Sequence, residues 1–427
     1  MVHLKSIGLV SLGLLAASLP IAGAEPVWPL PPTTPAAAGI SAERLDLMDR
    51  NLMQVVDQGK YSGYVFMLAR DGKIADWRAH GWQNIAEKVP MQKDSIVRIF
   101  SMSKLITSTA VLKLMEDGRL KLTDPVEKYL PGLKDRKVYV GGTLEAPVLV
   151  PAARPITLHD LLTHTSGYYY DGDWSADSAV LVEWFNRENI WKAGNLDEFI
   201  GRVASLPLRQ QPGTQFRYGI STDILGAVVE KVSGEGLDVF FQRHILGPLG
   251  MKDTGFWVPQ EKRGRLAVIY TRDKDGTLIP SSAMNENDVG PGHGLLSGGG
   301  GLYSTAGDYV RFAQMLLDGG RLGNVRILSR KTVELMTQNH IAHLADPHPN
   351  KKSEQGFGLG VRVITELGES PTPGSVGTFG WDGAATTNVQ IDPKERTIAI
   401  LLCQHGTFNE DDIFTTYTTG YYSSLEN

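Results

Sequence analysis

"SIVRIFSMSKLITSTAVLKLMEDG", residues 95–118, is the stretch on which the fold turns. Ile96, Val97, Ile99 and Phe100 have the β-branched, alternating look of a strand. From Lys104 the run is apolar nearly all round until Lys113 and Glu116, then stops at Gly118, as a buried helix with a glycine cap does. A strand therefore hands over to a core helix at Ser101-Met102-Ser103-Lys104, the only S-x-x-K in 427 residues. Residues three apart share a helix face, so the amine of Lys104 reaches the hydroxyl of Ser101. The positive end of the helix dipole and burial both favour a neutral amine there. A serine beside such an amine is an activated nucleophile. The competing structural reading makes Ser101 an N-cap and Lys104 a solvated first-turn side chain, although a lysine at that end of the dipole is a poor choice for stability.

Outward from this stretch, "SAERLDLMDRNLMQVVDQG" (41–59) has helical spacing at Leu45, Met48, Leu52 and Val55, with Ser41 as cap. "YSGYVFMLARDGKIADWRAHG" (61–81) is two apolar runs around Asp71-Gly72, a hairpin signal. From about 105 to 288 the segments are helical and loop-rich, as in "LHDLLTH", "LDEFIGRVASL", "STDILGAVVEKVSG" and "LDVFFQRHIL". "AGDYVRFAQMLLDGG" (306–320) is a helix ending in glycines, and strands return in "GFGLGVRVIT", "TNVQID" and "RTIAILLCQ". Strands at both ends with helices between predict an α+β fold, an α/β sandwich. One antiparallel sheet is built from parts about 41–100 and 289–427, flanked by helices, with a mostly helical insertion at about 105–288. The active site is expected where the two parts meet. No internal repeat or low-complexity tract interrupts residues 41–427, which read as one domain.

The N-terminus reads as an address. Lys5 supplies a basic region, Ile7 to Ile21 an apolar one, and Ala22-Gly23-Ala24 a small-residue cleavage site, so residues 1–24 are expected to be a signal peptide cut after Ala24. Pro20 breaks the run, which is too short for a stable membrane anchor. The product would be periplasmic or secreted, starting with a Pro-rich leader (25–40) expected to be exposed and mobile. The chain's formal charge of −5 becomes −6 without Lys5, and no basic patch suggests nucleic acid. The single Cys403 lies in an apolar run and reads as core. Lacking an internal disulfide, the chain must rely on a large core, for which its length suffices. Nothing in it prescribes an oligomeric state.

Three sites line up in order. "RIFSMSK" holds Ser101 and Lys104, "FRYGISTDILG" places Tyr218 just before a helix, and "FGWDGAATTNVQ" places Trp381-Asp382-Gly383 just before a C-terminal strand. This order resembles the penicillin-recognising serine hydrolases. Within them the chain is similar to the branch grouping class C β-lactamases, DD-peptidases and the β-lactamase-like (family VIII) carboxylesterases. "LTDPVEKYLPGL", "ITLHDLLTHTSG", "PLGMKDTGF" and "GGGGLYSTAGDYVRFAQMLLDGG" extend the likeness over nearly the whole chain after residue 24. The resemblance implies Ser101 as nucleophile, Lys104 as its base or base partner, and Tyr218 as the proton relay to the leaving group. It implies backbone amides of Ser101 and Ala384 as the oxyanion hole, and no cofactor.

The departures from that family narrow the substrate. Ile220 stands where lactamases and peptidases usually carry an asparagine amide. Trp381 stands where they usually carry lysine or histidine for the substrate carboxylate, and W-x-G resembles the esterase branch. Asp382 replaces a glycine common in that branch, and its side chain is expected to point away from the oxyanion site. A small-molecule ester is therefore favoured over an amide. A lactamase, DD-peptidase or acyltransferase on the same scaffold, or a module that binds cell-wall peptides without turnover, are the alternatives.

Other signals carry less. No G-x-S-x-G occurs, which argues against a nucleophile elbow. Gly298 to Gly301 lacks the order of a phosphate fingerprint and reads as a tight turn near the cleft. His159 and His164, five apart, cannot share a metal on one helix. His340 and His343 lack a carboxylate at ligand spacing and read as solvated, so no metal is expected. Tyr168, Tyr170 and their neighbours Tyr169 and Trp174 are candidates to line an acyl or alcohol pocket, or else form a partly buried aromatic loop.

Overall fold

The computed structural model describes residues 29–176, 178–285, 294–345 and 354–426, apart from the side chains of residues 173 and 174. The expected signal peptide (1–24) and residues 25–28 lie outside the described residues.

Helix α1 (Ala42–Asp57) is capped by Ser41, whose side chain accepts from the Arg44 amide. Its buried stripe is Leu45, Met48, Leu52 and Val56, so Val56 rather than Val55 completes it, one residue on from the expected position. Strands β1 (Gly63–Arg70) and β2 (Lys73–Asn84) form the hairpin, with Asp71 and Gly72 both at positive φ (51° and 74°), as a type I′ turn needs. A short β3 (Val89–Pro90) pairs with β2. After the insertion come β4 (Gln355–Phe357), β5 (Arg362–Ile364), β6 (Phe379–Gly383), β7 (Thr387–Asp392) and β8 (Thr397–Cys403). The eight strands join in the order β4-β5-β6-β7-β8-β1-β2-β3, with every neighbouring pair antiparallel. Both halves of the chain thus meet at β1 and β8, in register Tyr64 with Cys403 through Arg70 with Thr397.

These two central strands are buried on both faces, which explains their near-continuous apolar runs. Tyr64, Phe66, Leu68, Ala399 and Leu401 face one side, against α1 and the last helix, Ile413–Ser423. Val65, Met67, Ile398, Ile400 and Leu402 face the other, joining the main core. Cys403 is buried on the first of these sides, beside Ala399 and Leu401, as core as expected.

In the main core lie α2 (Ser103–Glu116), α3 (Leu158–Leu162), α4 (Ser221–Ser233) and α5 (Ala306–Leu317). Helix α2 has buried residues all round and ends before Gly118 at φ 70°, as its sequence requires. Two hairpins interrupt the mostly helical insertion, Lys137–Gly142 with Pro147–Pro151 and Tyr270–Arg272 with Leu278–Pro280. The leader differs from expectation from Pro29 onward. Leu30 is buried, and the Thr33 amide donates to the Ile74 carbonyl at 2.8 Å, so this segment is bound along β2. The proline-rich composition suppresses helix, yet apolar Leu30 has a core to enter.

Candidate active site

The strand expected at 95–100 reduces to Val97–Arg98, which pairs with Tyr303–Ser304. Phe100 then takes a left-handed φ of 43°, a strained conformation for a bulky residue, and starts a 3-10 turn, Phe100–Met102, that leads into α2. The Ile99 amide donates to Leu302 at 3.0 Å, and the Tyr309 hydroxyl donates to the Met102 carbonyl at 2.8 Å, so the turn is held on both sides. Ser101 is half-buried on this turn while Lys104, in the first turn of α2, is 1 % exposed.

Lys104 Nζ lies 3.1 Å from Ser101 Oγ, 3.0 Å from the Tyr170 hydroxyl and 2.7 Å from the Gly299 carbonyl oxygen. It also sits 4.8 Å from the centre of the Tyr218 ring. The Gly299 carbonyl can only accept, so one N–H is committed to it. A neutral amine has one N–H more and one lone pair, enough to donate to Tyr170 and to accept from Ser101. The set can therefore hold the amine either neutral or with one proton more.

The Tyr218 hydroxyl accepts from Trp381 Nε1 at 3.0 Å. Tyr218 precedes α4 in a loop tied at several points. The Arg217 amide donates to the His164 carbonyl at 2.7 Å, the Gly219 amide to His164 Nδ1 at 3.3 Å, and Ser175 Oγ to the Tyr218 carbonyl at 2.6 Å. Gly219 is required here, because a Cβ on it would stand 2.6 Å from Tyr169 Cα and 2.7 Å from the Tyr168 carbonyl oxygen. This close approach brings the Tyr170 and Tyr218 rings to 5.4 Å, edge to face. Burial pushes the Tyr170 hydroxyl well above its ordinary range, with Tyr218, Asp223 and Asp171 adding to it, so Tyr170 stays a neutral phenol. His164, packed 4.8 Å from the Tyr218 ring, is held well below the ordinary histidine range by burial and then by Lys104, and stays uncharged.

Of the tyrosines expected to line a pocket, only Tyr170 reaches the cleft. Tyr168 and Tyr169 are fully buried in the core. The reason is local: Gly167, at φ 91°, turns the chain against residues 208–210, where a Cβ would meet the Gln210 carbonyl oxygen at 2.5 Å. The two rings that follow enter the core. The side chain of Trp174 lies outside the described residues.

Two contributors were not anticipated in these roles. Gly299, read only as part of a turn, presents its carbonyl to Lys104, and its amide donates to Asp223 Oδ1 at 3.0 Å. Asp223, buried on α4, also accepts from Ser297 Oγ. Burial raises the Asp223 carboxyl above its usual range, and the charge of Lys104 opposes that rise. The sequence signal was available only in part, since a glycine at 299 is explained by a partner 76 residues away: a Cβ there would meet Asp223 Oδ2 at 2.4 Å.

The third motif lies inside a strand of its own, β6, rather than in the loop before one. Gly380 and Gly383 weaken the local strand signal, and pairing with β7 (Trp381 with Val389, Asp382 with Asn388) supplies what propensity lacks. Strand alternation turns Trp381 to the cleft and Asp382 to the opposite face. There Asp382 pairs with Arg362 at 2.7 Å and with Asn388, so it points away from Ser101. A Cβ on Gly383 would lie 2.3 Å from the Ile99 carbonyl oxygen. The end of β6, and Ala384 after it, are therefore pressed against the turn that carries Ser101. Ile220 is fully buried at the start of α4.

Among the described residues no group of three or more His, Cys, Asp or Glu is placed to hold a metal. His340, read as a solvated neighbour of His343, instead bonds to His159 at 3.1 Å. The sequence places these two 181 residues apart, so only folding reveals the pair.

Known proteins resemble this chain over most of its length. The family model described as Beta-lactamase matches residues 48–420. Protein Rv1367c of Mycobacterium tuberculosis is 34 % identical over 374 residues, covering 84 % of this chain and 90 % of its own. Esterase EstB of Burkholderia gladioli is 30 % identical, covering 81 % of this chain and 86 % of its own. Among solved structures, "EstCE1, a hydrolase with promiscuous acyltransferase activity", superposes with a TM-score of 0.74 at 25 % identity, covering 89 % of this chain and 99 % of that one. The S-x-x-K turn, the tyrosine loop and the W-x-G strand converge in one cleft, and the chain belongs to the β-lactamase family of serine hydrolases.

Proposed function

We propose that the protein is an exported esterase that cleaves short-chain carboxylic esters through an acyl intermediate on Ser101. The observation that carries this reading is the 3.1 Å approach of Lys104 Nζ to Ser101 Oγ beside a tyrosine whose hydroxyl is already engaged by Trp381. The ester carbonyl oxygen would sit on the backbone amides of Ser101 and Ala384. Lys104 takes the Ser101 proton as Oγ attacks the carbonyl carbon. The tetrahedral intermediate collapses by breaking the bond to the alcohol oxygen, which receives a proton from Tyr218, and Lys104 restores the tyrosine's proton. Water repeats the sequence on the acyl-serine and releases the acid. Oxyanion donors of this kind typically lower a barrier by about 2.7–4 kcal/mol each.

Trp381 and Ile220 support a neutral ester over a lactam or peptide. The indole N–H is committed to Tyr218, and a buried isoleucine offers no amide to hold an acylamino side chain. The test is covalent labelling by a fluorophosphonate in wild type and Ser101→Ala, beside turnover of p-nitrophenyl acetate and butyrate and of nitrocefin. Labelling lost in the variant, with ester turnover above nitrocefin turnover, is the expected result. Equal labelling would remove Ser101 as nucleophile, and faster nitrocefin turnover would favour the lactamase alternative. For export, mass spectrometry of protein recovered outside the cytoplasm should find a chain starting at Glu25. No helix among the described residues is long and apolar enough to cross a membrane.

A further inference from the structure

The Tyr170 ring connects the catalytic lysine to a second aromatic surface. Its hydroxyl is 3.0 Å from Lys104 Nζ, and its face stacks on Trp191, with centroids 6.2 Å apart and planes 29° apart. Trp191 sits on a 3-10 turn, Ile190–Lys192, after Asn189 reverses the chain in a left-handed conformation (φ 48°, ψ 48°). Ile190 is buried as the anchor of that turn while Trp191 remains 40 % exposed. Behind it the indole rests on Phe199 at 6.0 Å and Phe185 at 6.1 Å. A singly exposed apolar side chain is ordinary on a protein surface. Trp191 is different because it is braced by three rings and continuous with the residue that touches the catalytic amine. A rigid, half-covered indole can stack a flat group with little loss of side-chain freedom.

The direction of this wall assigns it to one half of the substrate. The alcohol oxygen must meet the Tyr218 and Lys104 protons, and Tyr170 lies on that side, edge to face with Tyr218. We propose that Tyr170 and Trp191 form a subsite that stacks a planar, apolar group on the alcohol side of the ester, so that arylmethyl esters are preferred substrates. This rests on the esterase reading and names the substrate class within it.

The test compares 2-naphthylmethyl acetate with ethyl acetate, both primary-alcohol esters of one acid. Trp191→Ala should lower kcat/KM for the naphthyl ester about tenfold while changing that for ethyl acetate less than twofold, and Trp191→Phe should recover most of the loss. An equal loss on both esters, or none on the naphthyl ester, would overturn the subsite. Equilibrium dialysis with 2-naphthalenemethanol gives a readout free of turnover. Its Kd should rise about tenfold in Trp191→Ala, and an unchanged Kd would overturn the assignment. If wild type cleaves neither ester, the esterase reading fails by itself and the dialysis still decides the subsite.

Discussion

Trp381 Nε1 donates a hydrogen bond to the Tyr218 hydroxyl at 3.0 Å, linking the third motif to the second across 163 residues. In this geometry the phenolic oxygen accepts from the indole. If Tyr218 passes its proton to the leaving group, as proposed, the indole would stabilise the negative oxygen left behind. Hydrogen bonds to charged groups contribute about 1.5–3 kcal/mol. Trp381→Phe, which keeps the ring and removes the donor, should therefore lower kcat on p-nitrophenyl butyrate roughly tenfold to a hundredfold. Unchanged kcat would mean that Tyr218 works without the indole.

Lys104 Nζ touches Ser101 Oγ, the Tyr170 hydroxyl and the Gly299 carbonyl oxygen. Lys104→Ala should abolish fluorophosphonate labelling near neutral pH, and turnover should fall by about 10²–10⁴, the usual contribution of a general base. Lys104→Arg should not restore it, since a guanidinium keeps its proton at any workable pH. Normal labelling of either variant would show that another group activates Ser101.

Gly219 permits the approach of the two tyrosine loops. In Gly219→Ala the new methyl meets Tyr169 Cα at 2.6 Å, which backbone atoms cannot avoid by a rotamer change. The variant should lose about 1–3 kcal/mol of stability, read as a lower denaturation midpoint, and its kcat should fall because Tyr218 and Tyr170 are spread apart. Wild-type stability together with wild-type kcat would contradict this packing account.

Asp308, in the first turn of α5, accepts from the Asp253 amide and the Thr254 hydroxyl, and burial raises its carboxyl from 3.8 to about 6. Because the folded pKa is the higher one, the folded state holds a proton that the unfolded state has released. The contribution is fully present below pH 3.8 and is lost as pH rises to about 6. The associated change is about 3 kcal/mol. Asp308→Asn should flatten the decline between these limits in urea midpoints measured from pH 4 to 7. A variant that declines as wild type does would assign the pH dependence to other groups.

Features carried by neighbouring residues were legible from the sequence. The Asp71-Gly72 hairpin, the all-apolar α2 and the serine–lysine spacing depend on turn conformation and helix periodicity, which a few adjacent residues set. The strand at 379–383 was missed because two of its five residues are glycines and its stability comes from β7. Residues 31–39 are largely exposed, as the composition predicts, but proline content says nothing of the β2 edge beside which Leu30 is buried.

The sequence by itself determined which chemical groups are present, the order in which they occur, and the local turn that puts Ser101 and Lys104 on one face. Tertiary structure decided what surrounds that amine: Tyr170 from 66 residues away, the Gly299 carbonyl from 195, and a Tyr218 ring steadied by Trp381. It also decided that Asp382 turns to Arg362 and that Tyr168 enters the core. The physical reason is range. Backbone preference acts over a few residues, whereas hydrogen-bond partners and close glycine contacts exist only once distant segments have packed.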